Sequence, residues 1–384
     1  MKIVHLANHA QNVGNGIVNM MVDLACMQAR AGHDVTVASA GGGFENLLAR
    51  HGVRHVSFAQ SPKPSRLPAM LAGFNRLLAQ CDPDIVHAHM MTGALIARFG
   101  TLRRRYALIT TVHNEFQKSA TLMRVGDRVV AVSEAVSVAM ARRGVPRARL
   151  SVVPNGTIGT PRLADEPVPT ARPLAHPSIV TVAGMYERKG IRDLLHAFAQ
   201  LRTSVPGAAL YLVGDGPDRA TMQALALELG IADHAHFEGF VADPRAHLAQ
   251  ADVFVLASHN EPGALVLCEA REAGAAIVGT RVGGIPEMLD DGEAGLLVPP
   301  ANPDALAQAL GLLLTDRVAH AALTARSRQN RERFNVQRVS DDYLAVYERT
   351  LASCRPRRFA SLGARGSVAA GLGVVEGVTQ SRTS

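Results

Sequence analysis

Short apolar runs rich in Val, Ile and Leu recur along the chain between longer amphipathic stretches. KIVHLA, HDVTVAS, DIVHAHM, ALITTVH, RVVAVS and LSVV fill the first part. Continuous runs of this length read as strands buried on both faces, and their alternation with helical patterns predicts βα units around a parallel sheet. After residue 154 the texture changes: PNGTIGTPRLADEPVPTARPLAHP repeats proline and has neither strand nor helix periodicity, so residues 155–177 are expected to be an interdomain linker. The rhythm then restarts with SIVTVAG, ALYLVGDG, AHFEGF, ADVFVLAS, AAIVGT and AGLLVP. The pattern predicts two α/β domains in series, 1–154 and 178–335, each a Rossmann-like, doubly wound parallel sheet. From Pro303 onward it is helical, and residues 336–354 form a helix long enough to cross back to the first domain. The last thirty residues, 355–384, mix Gly, Ser, Ala and Arg without a packing face and are expected to be a disordered tail.

Composition agrees with this division and narrows the partners. A chain of 384 residues exceeds what one hydrophobic core usually organises, and 47% hydrophobic content suffices to pack two. A formal charge of +7 favours polyanionic partners, yet Lys and Arg are scattered, aromatics are 4% and Trp is absent, which argues against a nucleic-acid stacking platform. Cys26, Cys81, Cys268 and Cys354 are too far apart for a zinc ribbon or a disulfide framework and suit a reducing cytosol. MKIVHLAN enters a strand without a leader pattern, and no apolar run reaches the ~18 residues of a membrane span. The expected location is cytoplasmic, with any membrane contact peripheral and at the inner face.

Several motifs sit where strands end. In VGNGIVNM, Gly14 and Gly16 allow backbone to approach an anion at a helix start, but Asn19 replaces the third glycine of a dinucleotide fingerprint, and HDVTVASA lacks the acid that grips a nicotinamide ribose. A tight turn with nothing bound explains the motif equally well. In GMYERKGIRDLLHAF, Arg188 and Lys189 precede a helix beginning near Ile191, where two cations oppose the macrodipole unless an anion lies between them; a solvated turn is the alternative. Gly214 and Gly216 make a backbone-rich turn after another strand.

HNEPGALVLCEAREAG puts Glu261 in a loop and Glu269 within a helix predicted from Ala264 to Ala273. A nucleotide sugar fits this shape: diphosphate on the helix N-terminus, Glu261 at the sugar and Glu269 at the ribose. Alternatively Glu269 and Glu272 simply face solvent. His87, His89 and His113 end strands on the side where such folds bind ligands. His87 and His89 share one face of their strand without a third ligand nearby in sequence, so a metal is not expected. The Asp82–Asp84 pair precedes its strand and reads as a turn.

In order, VGNG, GHDVTV, DIVHAHMMTG, TVHN, VVAVSEAV, VVPNGT, ERKGIRDLLHAF, LVGDGP, the E-x7-E segment and VGGIPEMLDDGEAGLLVPP resemble the retaining glycosyltransferases of family 4, over about residues 1–350. The resemblance implies the GT-B fold, two Rossmann-like domains facing a central cleft. It implies transfer of a sugar from a UDP-, GDP- or ADP-sugar to a glycan or lipid-linked acceptor hydroxyl, with retained anomeric configuration and no metal cofactor. Lys189 with Arg188 would then neutralise the donor diphosphate, Glu261 would orient the sugar, and backbone around Gly263, Ala264 and Leu265 would hold phosphate oxygens. Glu269 would hold the ribose, Gly16 would approach the phosphates from the other domain, His113 would contact the sugar, and His87 and His89 would lie toward the acceptor.

Two departures stand out. Met185 occupies a position where family members commonly carry Arg, and EPGAL replaces the family's E-P-F-G-L. A nucleotide-sugar 2-epimerase of the same architecture, disfavoured by the E-x7-E segment, and a noncatalytic nucleotide- or carbohydrate-binding protein are the other readings. The segment RFGTLRRRY, with Arg98 and Arg103 to Arg105, is either a solvated helix end or a rest for anionic lipid headgroups.

Overall fold

The computed structural model describes residues 1–61, 63–102, 104–164, 166–170 and 172–359. Its first sheet contains β1 (Lys2–Leu6), β2 (Asp34–Ser39), β3 (Arg54–Ser57), β4 (Ile85–Ala88), β5 (Ala107–Val112), β6 (Arg128–Ala131) and β7 (Leu150–Val152), in the order β3-β2-β1-β4-β5-β6-β7. The second contains β8 (Ser178–Val182), β9 (Ala209–Val213), β10 (Ala235–Gly239), β11 (Val253–Leu256), β12 (Ala276–Thr280) and β13 (Leu296–Val298), in the order β10-β9-β8-β11-β12-β13. Every ladder between these strands is parallel. Chain order reverses between β1 and β4 in one sheet and between β8 and β11 in the other, which makes those strand ends the places where doubly wound sheets bind ligands.

Most strands are buried on both faces, as their unbroken Val/Ile/Leu runs require. The most exposed is β3, RHVS, which the hydrophobic pattern does not reveal; β7 at the other edge is also only half-buried. Strand β3 lies at the sheet edge and has no apolar run to announce it.

Residues 155–177 contain no helix or named strand among those described, yet they are docked firmly. Asp23, fully buried in the first helix (Gly16–Arg30), accepts from Arg162 Nε at 2.9 Å and Nη2 at 3.0 Å and from Thr160 Oγ1 at 2.6 Å. A buried ion pair is tolerable only when its geometry is good and its lone pairs are met, as they are here.

The C-terminal helix, Val336–Phe359, returns to the first domain. Val339, Tyr343, Val346 and Tyr347 join the core that includes Val18, Met21 and Val22. The helix runs five residues past the expected end at 354, so residues 355–359 are helical and not tail, although Pro356 within them has no backbone N–H to give to the helix ladder. The rest of the expected tail, 360–384, lies outside the described residues.

Candidate active site

The second domain brings its charged loops together at the β8/β11 switch. After β8 the chain makes a short turn, Glu187–Lys189, that ends at Gly190 before the helix Ile191–Leu201. Gly190 has φ +66°, and a Cβ there would lie 2.0 Å from the Ala257 carbonyl oxygen, so only glycine lets this turn press against the end of β11. The backbone N–H of His259 donates to the Arg188 carbonyl at 2.8 Å, and the His259 ring pairs with Asp193 at 2.5 Å. The two loops therefore hold each other. Met185, at the departure from the family pattern, is fully buried in the core cluster that also holds Ile191.

Within that clasp Lys189 Nζ donates to Glu261 Oε2, and Ser258 Oγ donates to the same oxygen at 3.4 Å. Glu261 is only 6% exposed, so its charge needs this partner. Its carbonyl accepts from Gly284 N at 2.8 Å, and a side chain at Gly283 (φ +53°) would strike that carbonyl at 2.0 Å. The VGGIP segment thus locks the glutamate loop. The following helix, Leu265–Ala273, starts one residue after the predicted Ala264, which is extended and gives no side-chain cap. Uncapped first-turn N–H groups beside Lys189 and Arg188 suit an anion.

The first domain and the start of the linker close over these loops. Ser133 Oγ donates to the Pro262 carbonyl at 2.7 Å, and Asn155 Nδ2 donates to the Gly263 carbonyl at 2.9 Å. The Arg188 guanidinium lies 5.0 Å from the Phe116 ring of the first domain and 5.5 Å from Tyr186 of its own. Gly14 and Gly16 reach the seam too: a Cβ on Gly14 would lie 2.9 Å from the Phe240 ring, and one on Gly16 would lie 3.4 Å from Leu265. Asn15 between them caps the first helix by accepting from Ile17 N at 3.0 Å.

The histidines lie deeper than strand-end reasoning suggests. His87 is fully buried and His89 is 3% exposed, with ring centroids 4.0 Å apart; only His113 is half-buried at the cleft. His5, in register with His87 across β1 and β4, is the third histidine that the sequence did not place nearby, and His5, His87 and His89 could between them offer nitrogens to a metal ion. Burial holds His5 and His113 down at about 4 and His87 and His89 well below the usual range, so all four are neutral near pH 7.

Gly214 and Gly216 pack under the β8 turn, where side chains would collide with the Ala183 and Met185 carbonyls at 2.0 and 2.4 Å. Glu269 is half-buried; burial raises its carboxyl pKa, opposed chiefly by nearby Arg162 of the linker. Sequence reasoning did not single out Glu115, Asn155 or Asn260, and read Asn19 only as a missing glycine. Each has a buried side-chain oxygen without a hydrogen-bond partner among the described residues. Burial raises the Glu115 pKa, and the Glu261 charge adds to that.

Residues 14–157 match the Glycosyltransferase Family 4 profile, and residues 165–332 match Glycosyl transferases group 1. The GDP-mannose-dependent alpha-(1-6)-phosphatidylinositol monomannoside mannosyltransferase of Mycolicibacterium smegmatis is 32% identical over 311 residues, 73% of this chain and 80% of that protein. The lipopolysaccharide core biosynthesis glycosyltransferase LpsE of Rhizobium meliloti is 33% identical over 175 residues, 45% of this chain and 50% of LpsE. The crystal structure of Anabaena HepE in complex with UDP and glucose superposes with a TM-score of 0.75 at 21% identity, covering 90% of this chain and 99% of that one. These similarities favour a transferase over an epimerase or a noncatalytic binding protein. With two doubly wound sheets meeting at their switch points, the chain belongs to the group 1, family 4 glycosyltransferases of the GT-B fold and is a glycosyltransferase enzyme.

Proposed function

We propose that the enzyme transfers a hexosyl group from a nucleotide diphosphate sugar, with retention of configuration, to a hydroxyl of a glycan or lipid-linked acceptor in cell-envelope polysaccharide, lipopolysaccharide or glycolipid synthesis. The observation that carries this reading is the Lys189–Glu261 pair, buried at the mouth of the uncapped helix Leu265–Ala273 and roofed by the other domain. Arriving diphosphate takes Lys189 and Arg188 as counter-charges and the first-turn N–H groups as donors, which frees Glu261 to accept from sugar hydroxyls. The same cations stabilise charge developing on the departing diphosphate, the role a metal fills elsewhere, so the reaction proceeds without one. The acceptor attacks the face from which the diphosphate leaves, and a phosphate oxygen takes its proton. Glu269 holds the ribose, and Gly14, Gly16 and the backbone at Gly263 to Leu265 line the phosphates.

The test is a thermal-shift panel of UDP, GDP, ADP and their sugars, with and without chelator, followed by product analysis of the anomeric configuration. One nucleotide series should raise the melting temperature, since a ligand of the native state stabilises it by mass action. Transfer with inversion, or dependence on a metal, would overturn those parts of the reading. The relatives' names point to GDP-mannose in one case and lipopolysaccharide core in another, and the HepE structure contains UDP, so GDP and UDP head the panel.

For a membrane-borne acceptor, the exposed end of the helix Met91–Phe99 is the contact we favour. Phe99 is 71% exposed and Leu102 fully so, flanked by exposed Arg98 and Arg105. Arg104 is not available, because it pairs with both oxygens of Asp127 at 2.7 Å, and Arg103 lies outside the described residues. Among those described, no helix is long and apolar enough to cross a membrane. Cosedimentation with anionic vesicles should be lost in Phe99→Ser/Leu102→Ser and reduced in Arg98→Ala/Arg105→Ala; unchanged sedimentation would remove this contact.

A further inference from the structure

His5 is the histidine no motif explains, and its contacts run in a line. Gln28 Oε1 of the first helix lies 2.9 Å from His5 Nε2, His5 Nδ1 lies 3.0 Å from His89 Nε2, and His89 Nδ1 lies 3.3 Å from His113 Nε2. A second line starts from the same amide. Gln28 Nε2 donates to Tyr347 OH at 3.3 Å, Tyr347 OH lies 2.7 Å from His87 Nδ1, His87 Nε2 lies 2.7 Å from Thr111 Oγ1, and Thr111 Oγ1 lies 3.1 Å from Tyr343 OH.

A neutral imidazole has one donor and one acceptor nitrogen, so each ring in such a line fixes the next. The Gln28 oxygen can only accept; His5 therefore carries its proton on Nε2 and presents a bare Nδ1. His89 must then donate from Nε2, and His113 likewise. On the other branch, Tyr347 accepts from the amide and donates to His87 Nδ1, which places the His87 proton on Nε2, toward Thr111. Both branches follow from the Gln28 amide in this orientation; turning it over would reverse every proton in both lines and put the His113 proton on Nδ1. The amide therefore sets the whole relay, and Tyr347 comes from the C-terminal helix that returns from the second domain.

We infer that Gln28, His5 and His89 are positioning residues that lock His113 in its Nε2–H tautomer, leaving Nδ1 as a fixed acceptor for a hydroxyl of the bound substrate. The role at substrate rests on the glycosyl-transfer reading; the tautomer lock does not. A metal at His5, His87 and His89 is the competing use of these residues. Every ring nitrogen of the three is already engaged in the lines above, so an ion would have to break several buried hydrogen bonds, each costly to leave unmade. The proximity of the three rings follows from the relay itself.

The test is tautomer measurement by long-range ¹H–¹⁵N correlation on the full chain labelled with ¹⁵N-histidine at neutral pH, without substrate. The wild type should show His5, His89 and His113 each with the proton on Nε2. His5→Phe and Gln28→Leu, neither touching His113, should convert His113 to a mixture of tautomers and lower kcat/KM about tenfold, as loss of one oriented hydrogen bond implies. A merely structural role would shift the melting temperature and leave the His113 tautomer pure. The inference is overturned by a pure Nε2–H tautomer in folded variants, by Nδ1–H or a doubly protonated His113 in the wild type, or by a stoichiometric, histidine-dependent Zn²⁺. If the variants do not fold, the wild-type spectrum alone decides. A locked tautomer without detectable transfer would refute the functional reading and leave the lock standing.

Discussion

The two switch points that face each other across the cleft differ in kind. On the second domain the side chains are ionic: Arg188, Lys189 and Glu261 sit on loops stiffened by glycines and by the His259–Asp193 pair. On the first domain burial keeps four imidazoles neutral. On the proposed function, the difference separates two tasks. Charge belongs where a diphosphate gains charge as it leaves, because an ionic group there responds to the change. Neutral, oriented hydrogen bonds belong where hydroxyls must be held without a second set of cations competing for the phosphate.

The strongest way to break the comparison is to neutralise the ionic side. Glu261→Gln keeps shape and should cost kcat on the order of 10²–10³, the scale for removing one oriented electrostatic group, with a smaller fall in melting temperature than Lys189→Ala because the amide oxygen still accepts from Lys189. Near wild-type turnover would remove Glu261 from the site. Lys189→Ala differs in signature. It leaves Glu261 buried without its cation, so it should weaken donor binding in calorimetry and also lower the melting temperature; unchanged donor affinity would exclude Lys189 from the diphosphate.

The neutral side is tested by pH. His5, His87 and His89 have folded-state pKa values below the unfolded value near 6.5, at about 4 for His5. Between those values the unfolded chain binds protons that the folded chain refuses. Stability is therefore fully present above about 6.5 and falls as pH drops toward 4, by at most ~1.4 kcal/mol per pH unit for each such histidine. Urea unfolding at pH 7 and pH 5 should show this loss, and His5→Phe should flatten it by about one histidine's share. Equal pH dependence in the wild type and His5→Phe would mean that His5 is not buried neutral, since the raised carboxyl pKa values of Glu115 and Glu269 oppose the loss alike in both.

The same contrast explains what could be read from the chain. The ionic side was legible because Arg188, Lys189, Glu261 and Glu269 each lie in a contiguous strand-loop-helix segment whose pattern the sequence displays. The histidine side was only half legible. His87 and His89 announce themselves two residues apart, but His5 stands 82 residues before His87 and meets it only because β1 pairs with β4. Gln28 and Tyr347 are farther apart still, joined by the returning C-terminal helix. Asn155 and Phe116 were invisible for a related reason: each acts across the seam, so its meaning depends on how two separately folded sheets dock. The burial of Met185 likewise depends on packing that no local pattern specifies.

Between the two sides lies one contact that belongs to both, the Arg188 guanidinium over Phe116. Phe116 is uncharged and half-buried, and its ring face attracts the cation while leaving the guanidinium edge free for phosphate. Phe116→Ala should therefore remove about 0.5–1 kcal/mol of attraction, a two- to fivefold rise in donor KM with kcat nearly unchanged. Phe116→Tyr should restore it, since the ring face remains. A fall in kcat with unaltered KM would instead assign Phe116 to the reacting centre. The neutral side would then take part in the chemical step as well as in orientation.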